Sequence, residues 1–176
     1  MHKWVSGTIL LVLIGGCVQL IGGCVQSPED AVSASYREQF LVAAEPDNPL
    51  TLTEVADQLK SVDEAEVSPS LVVVGRIYAG ELEPWEANKA SFILSELPAE
   101  GHGEGHDADN CPFCKRRAAK SPTAIVRFLD DQDQTIGIDA RKLFNLESGQ
   151  TVVVRGSVER GAFDSLVLNA EQIHIR

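Results

Sequence analysis

The most restrictive feature of this chain is a succession of short β-branched runs over residues 71–176, broken by a single short helical stretch. Residues 71–79, Leu-Val-Val-Val-Gly-Arg-Ile-Tyr-Ala, read as a strand from their β-branched content. Gly75 in mid-strand predicts a bulge or sharp bend of the kind a small barrel needs. Residues 91–97 predict a second strand and residues 124–129 a third. Residues 130–134 then form a polar turn, and residues 135–138 return from it. Residues 140–146 predict a short helix. Ser148-Gly149 turns the chain into a strand over 151–158, and Arg160-Gly161 lies in the next turn. The last run alternates over 166–170, slips by one residue near Glu171-Gln172, and resumes at Ile173 and Ile175.

The order β-β-β-α-β-β resembles the OB-fold. The closing run Gly149-Gln150-Thr151-Val152-Val153-Val154-Arg155-Gly156-Ser157-Val158, through Asn169-Ala170-Glu171-Gln172-Ile173, is similar to the last two strands of exported bacterial OB domains related to the tRNA-anticodon-binding type. The resemblance implies a mainly β protein: a small five-stranded Greek-key barrel with a short helix between strands 3 and 4, preceded by one or two N-terminal helices. Residues 67–176 make up this unit. Such domains include nucleic-acid binders and envelope proteins that bind none, so the fold alone does not assign a function.

A long insertion, residues 98–122, separates the second and third strands. It contains His102, His106, Cys111 and Cys114 in the pattern H-x3-H-x4-C-x2-C, two of the four histidines and two of the four cysteines of the chain. Four soft or borderline ligands this close together suffice for one tetrahedral site. Cys-Pro-Phe-Cys resembles the zinc-knuckle turn, and the three glycines around the histidines leave a loop able to wrap an ion. Lys115, Arg116, Arg117 and Lys120 favour the thiolate form. Zinc suits an S2N2 donor set, and copper competes outside the cytoplasm. Cys-Pro-Phe-Cys is also similar to the glutaredoxin active-site motif, which implies a redox dithiol, although Ser121-Pro122 stops any following helix early. A structural disulfide with incidental histidines is the third reading. Lys115 stands where haem attachment needs histidine.

The N-terminus reads as an export signal, residues 1–23, with a basic start at Lys3 and an apolar stretch too short to span a bilayer. Leu-Ile-Gly-Gly-Cys-Val-Gln occurs twice in tandem and resembles the lipobox of bacterial lipoproteins, so Cys17 and Cys24 are both candidates for the lipid. An ordinary secretory signal with incidental cysteines is the alternative. Valine after each cysteine, in place of aspartate, points to the outer membrane and the periplasmic side of the cell envelope. Residues 24–66 form a tether with two helices. The first starts at Ser27-Pro28-Glu29-Asp30, a cap followed by proline and acids, and is expected to run to about Ala44. The second opens with the capping box Thr51-Leu52-Thr53-Glu54 and stripes Leu52, Val55, Ala56, Leu59 and Val62.

The formal charge is −11, and loss of Lys3 with the leader leaves 14 cationic against 26 acidic residues, or −12. That sign opposes a nucleic-acid partner, because such affinity comes largely from Lys and Arg neutralising phosphates. The loops that bind ligands in OB-folds correspond here to residues 80–88, with Trp85, and 159–165, with Phe163. Acids surround Trp85, and packing over a barrel end is its simpler role. Asp130, Asp131 and Asp133 fail the EF-hand pattern, having no glycine at the turn position and Lys142 in place of the last acid. His174 alternates away from Ile173 and Ile175 and is expected to be exposed. No nucleophile, base and acid assemble elsewhere, so the expectation is no enzyme. The reading is a lipid-anchored binding or scaffold module with an unknown protein or small-molecule ligand. The alternative is a periplasmic thiol-disulfide oxidoreductase or metal-handling protein.

Overall fold

The computed structural model describes residues 27–60, 70–98, 111–113, 116, 120–161 and 165–176. Two helices, α1 (Pro28–Phe40) and α2 (Leu52–Leu59), precede β1 (Ser70–Ile77), β2 (Ser91–Ser95) and β3 (Thr123–Phe128). Helix α3 (Ala140–Phe144), β4 (Thr151–Arg160) and β5 (Leu166–Ile175) follow. The five strands close into a ring in the order β1-β2-β3-β5-β4. Every pairing is antiparallel except β3 with β5. This mainly β architecture is consistent with an OB-like fold.

Alternation sends one side of each strand into the ring. Phe92, Leu94, Val126, Phe128, Val152, Val154 and Ile173 are buried there. Phe128 is the hub of an aromatic cluster, 4.6 Å from Phe144, 5.2 Å from Phe40 and 6.3 Å from Phe92 between ring centroids. Such pairs add roughly 0.5–1.5 kcal/mol each beyond the area they bury. Phe40 comes from α1 and Phe144 from α3, so both helices stop into the same core as the strands.

The slip expected near Glu171-Gln172 is a real irregularity. Arg155 pairs with Gln172 and Gly156 pairs with Ala170, which leaves Glu171 as the extra residue of β5. A Cβ on Gly156 would stand 2.1 Å from the carbonyl oxygen of Asn169, so only glycine permits this close approach. Of the bulge or sharp bend expected at Gly75, the bulge is absent. The residue pairs regularly with Val152. Its requirement is space: a Cβ there would meet Leu94 Cγ at 2.6 Å, at the point where β2 joins β1.

Local signals place the helix starts well. Ser27 and Asp30 form a reciprocal capping box on α1, and Thr51 and Glu54 form one on α2. The first helix ends at Phe40, short of Ala44. Leu41 turns extended because the free edge of β5 recruits it: Leu41 bridges Ile173, and the Val42 amide donates to the Ile173 carbonyl at 2.9 Å. Residues 41–50 then form a strap to the opposite edge of the same three strands. There Leu50 donates to Val72 O at 2.8 Å and accepts from the Val74 amide at 2.9 Å. Between these anchor points the strap crosses the outer face of β4. Helix α2 follows and buries Leu52, Val55 and Leu59 in the core. The return expected over 135–138 is not a strand but one bridge, Leu129 with Thr135. The short helix stops at Phe144 because Asn145 takes the left-handed conformation, φ 56°. Among the described residues no helix is long and apolar enough to cross a membrane.

Candidate functional site

The insertion leaves and rejoins the ring at one paired step, Ser95 opposite Thr123. The ladder from Ser91–Arg127 to Ser95–Thr123 is complete without it. Its departure point is held firmly. Ser95 Oγ donates to the Tyr78 carbonyl at 2.5 Å, and the Glu96 carboxylate accepts from both the backbone amide and the hydroxyl of Thr53, each at 2.8 Å. Glu96 thus satisfies an orphan donor in the first turn of α2, where a negative charge is favoured. Nothing local in the sequence marks Glu96 for this role, since its partner is 43 residues away.

Of the four proposed metal ligands, His102, His106 and Cys114 lie outside the described residues. Cys111 is described and half-buried, and the next two residues, Pro112 and Phe113, are helical. Phe113 projects into solvent, 78% exposed. Among the described residues no group of three or more His, Cys, Asp and Glu side chains is arranged to hold a metal. The donor chemistry, two imidazoles and two thiols, fits zinc or copper. Cys17 and Cys24 also lie outside the described residues.

Trp85 packs as expected at the end of the ring, half-buried, edge-to-face on Phe92 at 6.0 Å. Its other neighbour comes from α3. The Arg141 guanidinium lies 5.7 Å from the indole centroid. Asp139 caps α3 through the Arg141 amide at 3.0 Å and grips the Arg141 side chain at 2.9 and 2.6 Å. The hydrogen bonds from Arg141 hold the Asp139 carboxyl below its ordinary range despite burial, and Asp139 in turn raises Arg141. Leu82, 74% exposed, stands on a tight turn over Gly80, whose φ is +69°. Phe163 lies outside the described residues.

The aspartate-rich turn is a self-satisfied loop: Asp130 Oδ1 accepts from the Gln132 and Gln134 amides at 2.9 and 3.0 Å. His174 corrects an expectation. It is not exposed: its side chain keeps 18% exposure because the strap lies over it. Its Nδ1 lies 3.2 Å from the Val42 carbonyl oxygen. On the other side of the ring, Arg127 bonds to Asn169 and pairs with Glu159 at 2.6 Å.

No protein-family model matches the chain, and no curated protein matches it. Among solved structures, it is similar to a chain described as an aspartyl-tRNA synthetase from Leishmania major Friedlin, with 10% identity and a TM-score of 0.41. The match covers 84% of this chain and 25% of that one, so this protein spans a quarter of the synthetase's length. At that score the likeness supports no argument about function. The fold assignment rests on strand order and register.

Proposed function

We propose that this protein is a lipid-anchored module of the bacterial cell envelope, an OB-type Greek-key barrel whose β2–β3 insertion binds zinc through His102, His106, Cys111 and Cys114. One observation carries the reading: four donors of the right softness fall within thirteen residues, in a segment the paired strands do not need for closure. Two thiolates and two imidazoles close a tetrahedral shell, with no open position for substrate. Zinc there supplies folding energy to a glycine-rich loop with no core of its own, rather than a reaction. Copper is the competing ion. The tandem lipobox supports anchoring through Cys17 or Cys24 on the periplasmic side of the outer membrane. The partner is a protein or small molecule, and the acidic chain is unsuited to nucleic acid.

Elemental analysis of protein purified without added metal tests the site. One zinc per chain is expected, and it should fall by more than tenfold in affinity in both Cys111→Ala and the His102→Ala, His106→Ala double variant. Undiminished binding in the double variant removes the histidines from the site. Mass spectrometry of the mature N-terminus tests the anchor, and an unmodified terminus there overturns it.

A second reading is favoured by the helical residues directly behind Cys111. A thiol preceding a helical turn and a basic cluster is the arrangement of a reactive dithiol. In that case Cys111 titrates as a low-pKa thiol and reduces a model disulfide, and the histidine variants are silent.

A further inference from the structure

The sequence from Asn110 to Leu129 holds Lys115, Arg116, Arg117, Lys120 and Arg127 and no acid. The rest of the chain carries 10 cationic against 26 acidic residues, or −16. Net positive charge is therefore concentrated in one run, the second part of the β2–β3 insertion and β3. Exposed apolar side chains fall in the same run. Among the described residues, Val32, Leu82, Phe113 and Ile125 are the large apolar side chains left in solvent. Leu82 stands between Glu81 and Glu83, and Val32 closely follows Glu29 and Asp30, so an anionic surface repels both. Phe113 and Ile125 belong to the acid-free run.

Phe113 and Arg116 are both helical and both exposed, three positions apart, the spacing of neighbours on one helix face. Lys120 is exposed on the turn that leads back to β3. Nearby acids are already engaged. Across the last paired step from this run, Glu96 is bound to Thr53. On α2, Glu54 accepts from Thr51, and Asp57 pairs with Lys60 at 2.7 Å. Charges more than about 8–10 Å away are screened at physiological salt, so the acidity of the whole chain does not cancel this local charge. An exposed ring beside long cationic side chains matches the boundary between anionic head groups and hydrocarbon. There the ring enters the apolar layer and the cations stay at the level of the phosphates. A nucleic-acid strand offers the phosphates without the hydrocarbon.

We propose that Phe113, Arg116 and Lys120 form a membrane-contact knob that docks on an anionic phospholipid surface. This contact is separate from the metal ion and the acyl anchor proposed above and needs neither.

Vesicle binding by the full chain tests this, with Cys17→Ser and Cys24→Ser so that no acyl chain contributes. The apolar N-terminal residues enter any bilayer, so the reading is the ratio of affinities for phosphatidylglycerol over phosphatidylcholine vesicles. At about 0.1 M salt that ratio should exceed about 25, from roughly fivefold for each of two cations near the surface. Arg116→Gln combined with Lys120→Gln should lower it by about 25-fold. Phe113→Ser should weaken binding to the anionic vesicles by about fivefold or more and leave the salt dependence unchanged. All three positions are exposed, so none of these changes threatens folding. A ratio near one in the parent protein, an undiminished ratio in the double variant, or a silent Phe113→Ser overturns the knob. An unstructured oligonucleotide bound more tightly than the anionic vesicles, and lost in the same double variant, assigns the cations to nucleic acid and overturns it as well.

Discussion

On the outer face of β1 and β4, Val74 and Val153 are only 5% and 0% exposed, although both point away from the ring's interior. On the outer face of β2, β3 and the first half of β5, Ile93, Ile125 and Val167 form an equivalent cross-strand row, and Ile125 is 42% exposed. The two rows have the same chemistry and the same position in the pleat. They differ because the free edges of β5 and β1 recruit residues 41–50, which then lie over the first row. The edges between β2 and β3, and between β3 and β5, are already paired, and no other described segment hydrogen-bonds along them. Burial of an outward apolar residue in this sheet therefore depends on where strand edges are left unpaired, not on the residue itself.

The harshest test is applied where the two faces meet, at the irregular step between β4 and β5. Gly156→Val drives a side chain into the Asn169 carbonyl, which is backbone and cannot swing aside. The loss should be about 3 kcal/mol or more, read as a drop in the urea midpoint. If the variant is near-neutral, β5 can shift its register and the two faces are not rigidly joined.

A smaller and more direct test makes the same change on both faces. Val153→Thr buries a hydroxyl under the strap and should cost about 1–3 kcal/mol. Ile125→Thr, on the bare face, should stay within about 0.5 kcal/mol. Equal costs in thermal unfolding would mean that the strap does not exclude water from Val153.

The pH dependence sharpens the covered face further. The carboxyl of Glu45 is held below its ordinary value of 4.5, chiefly by the Arg176 hydrogen bond. The unfolded chain thus binds this proton more readily than the folded one. The stabilisation is complete above the ordinary value and is lost as pH falls through the lower folded value. The difference in melting temperature between wild type and Glu45→Gln should shrink in acid below about pH 4.5. A difference that grows as pH falls below about 4.5 would reverse the sign argued here.

The smallest expected effect is on the bare face. Its described cation, Arg127, is engaged by Glu159 and Asn169, and the chain as a whole is acidic. An unstructured oligonucleotide should show no measurable binding at physiological salt. Micromolar, salt-sensitive binding would make this face a nucleic-acid surface despite its charge.

Short-range physics was legible in the sequence. The capping residues Ser27 and Thr51, the five apolar runs, the polar turn at Asp130 and the one-residue slip at Glu171 are all set by neighbours within a few positions, and each lies where the pattern predicts. The candidate ligands His102, His106, Cys111 and Cys114 were equally legible as a spacing, because four donors close in sequence need no fold to bring them near. Contacts between distant residues decided the rest. Helix α1 ends at Phe40 because Ile173 offers an unpaired edge, and Gly75 is required by Leu94 rather than by a bulge. Glu96 caps α2 through Thr53. His174, which alternation alone sends to solvent, is covered because the strap bonds to a strand 132 residues later in the chain. Periodicity states which side of a strand a residue faces. Only the closed sheet states which of its edges remain free, and those edges determine what comes to lie over each face.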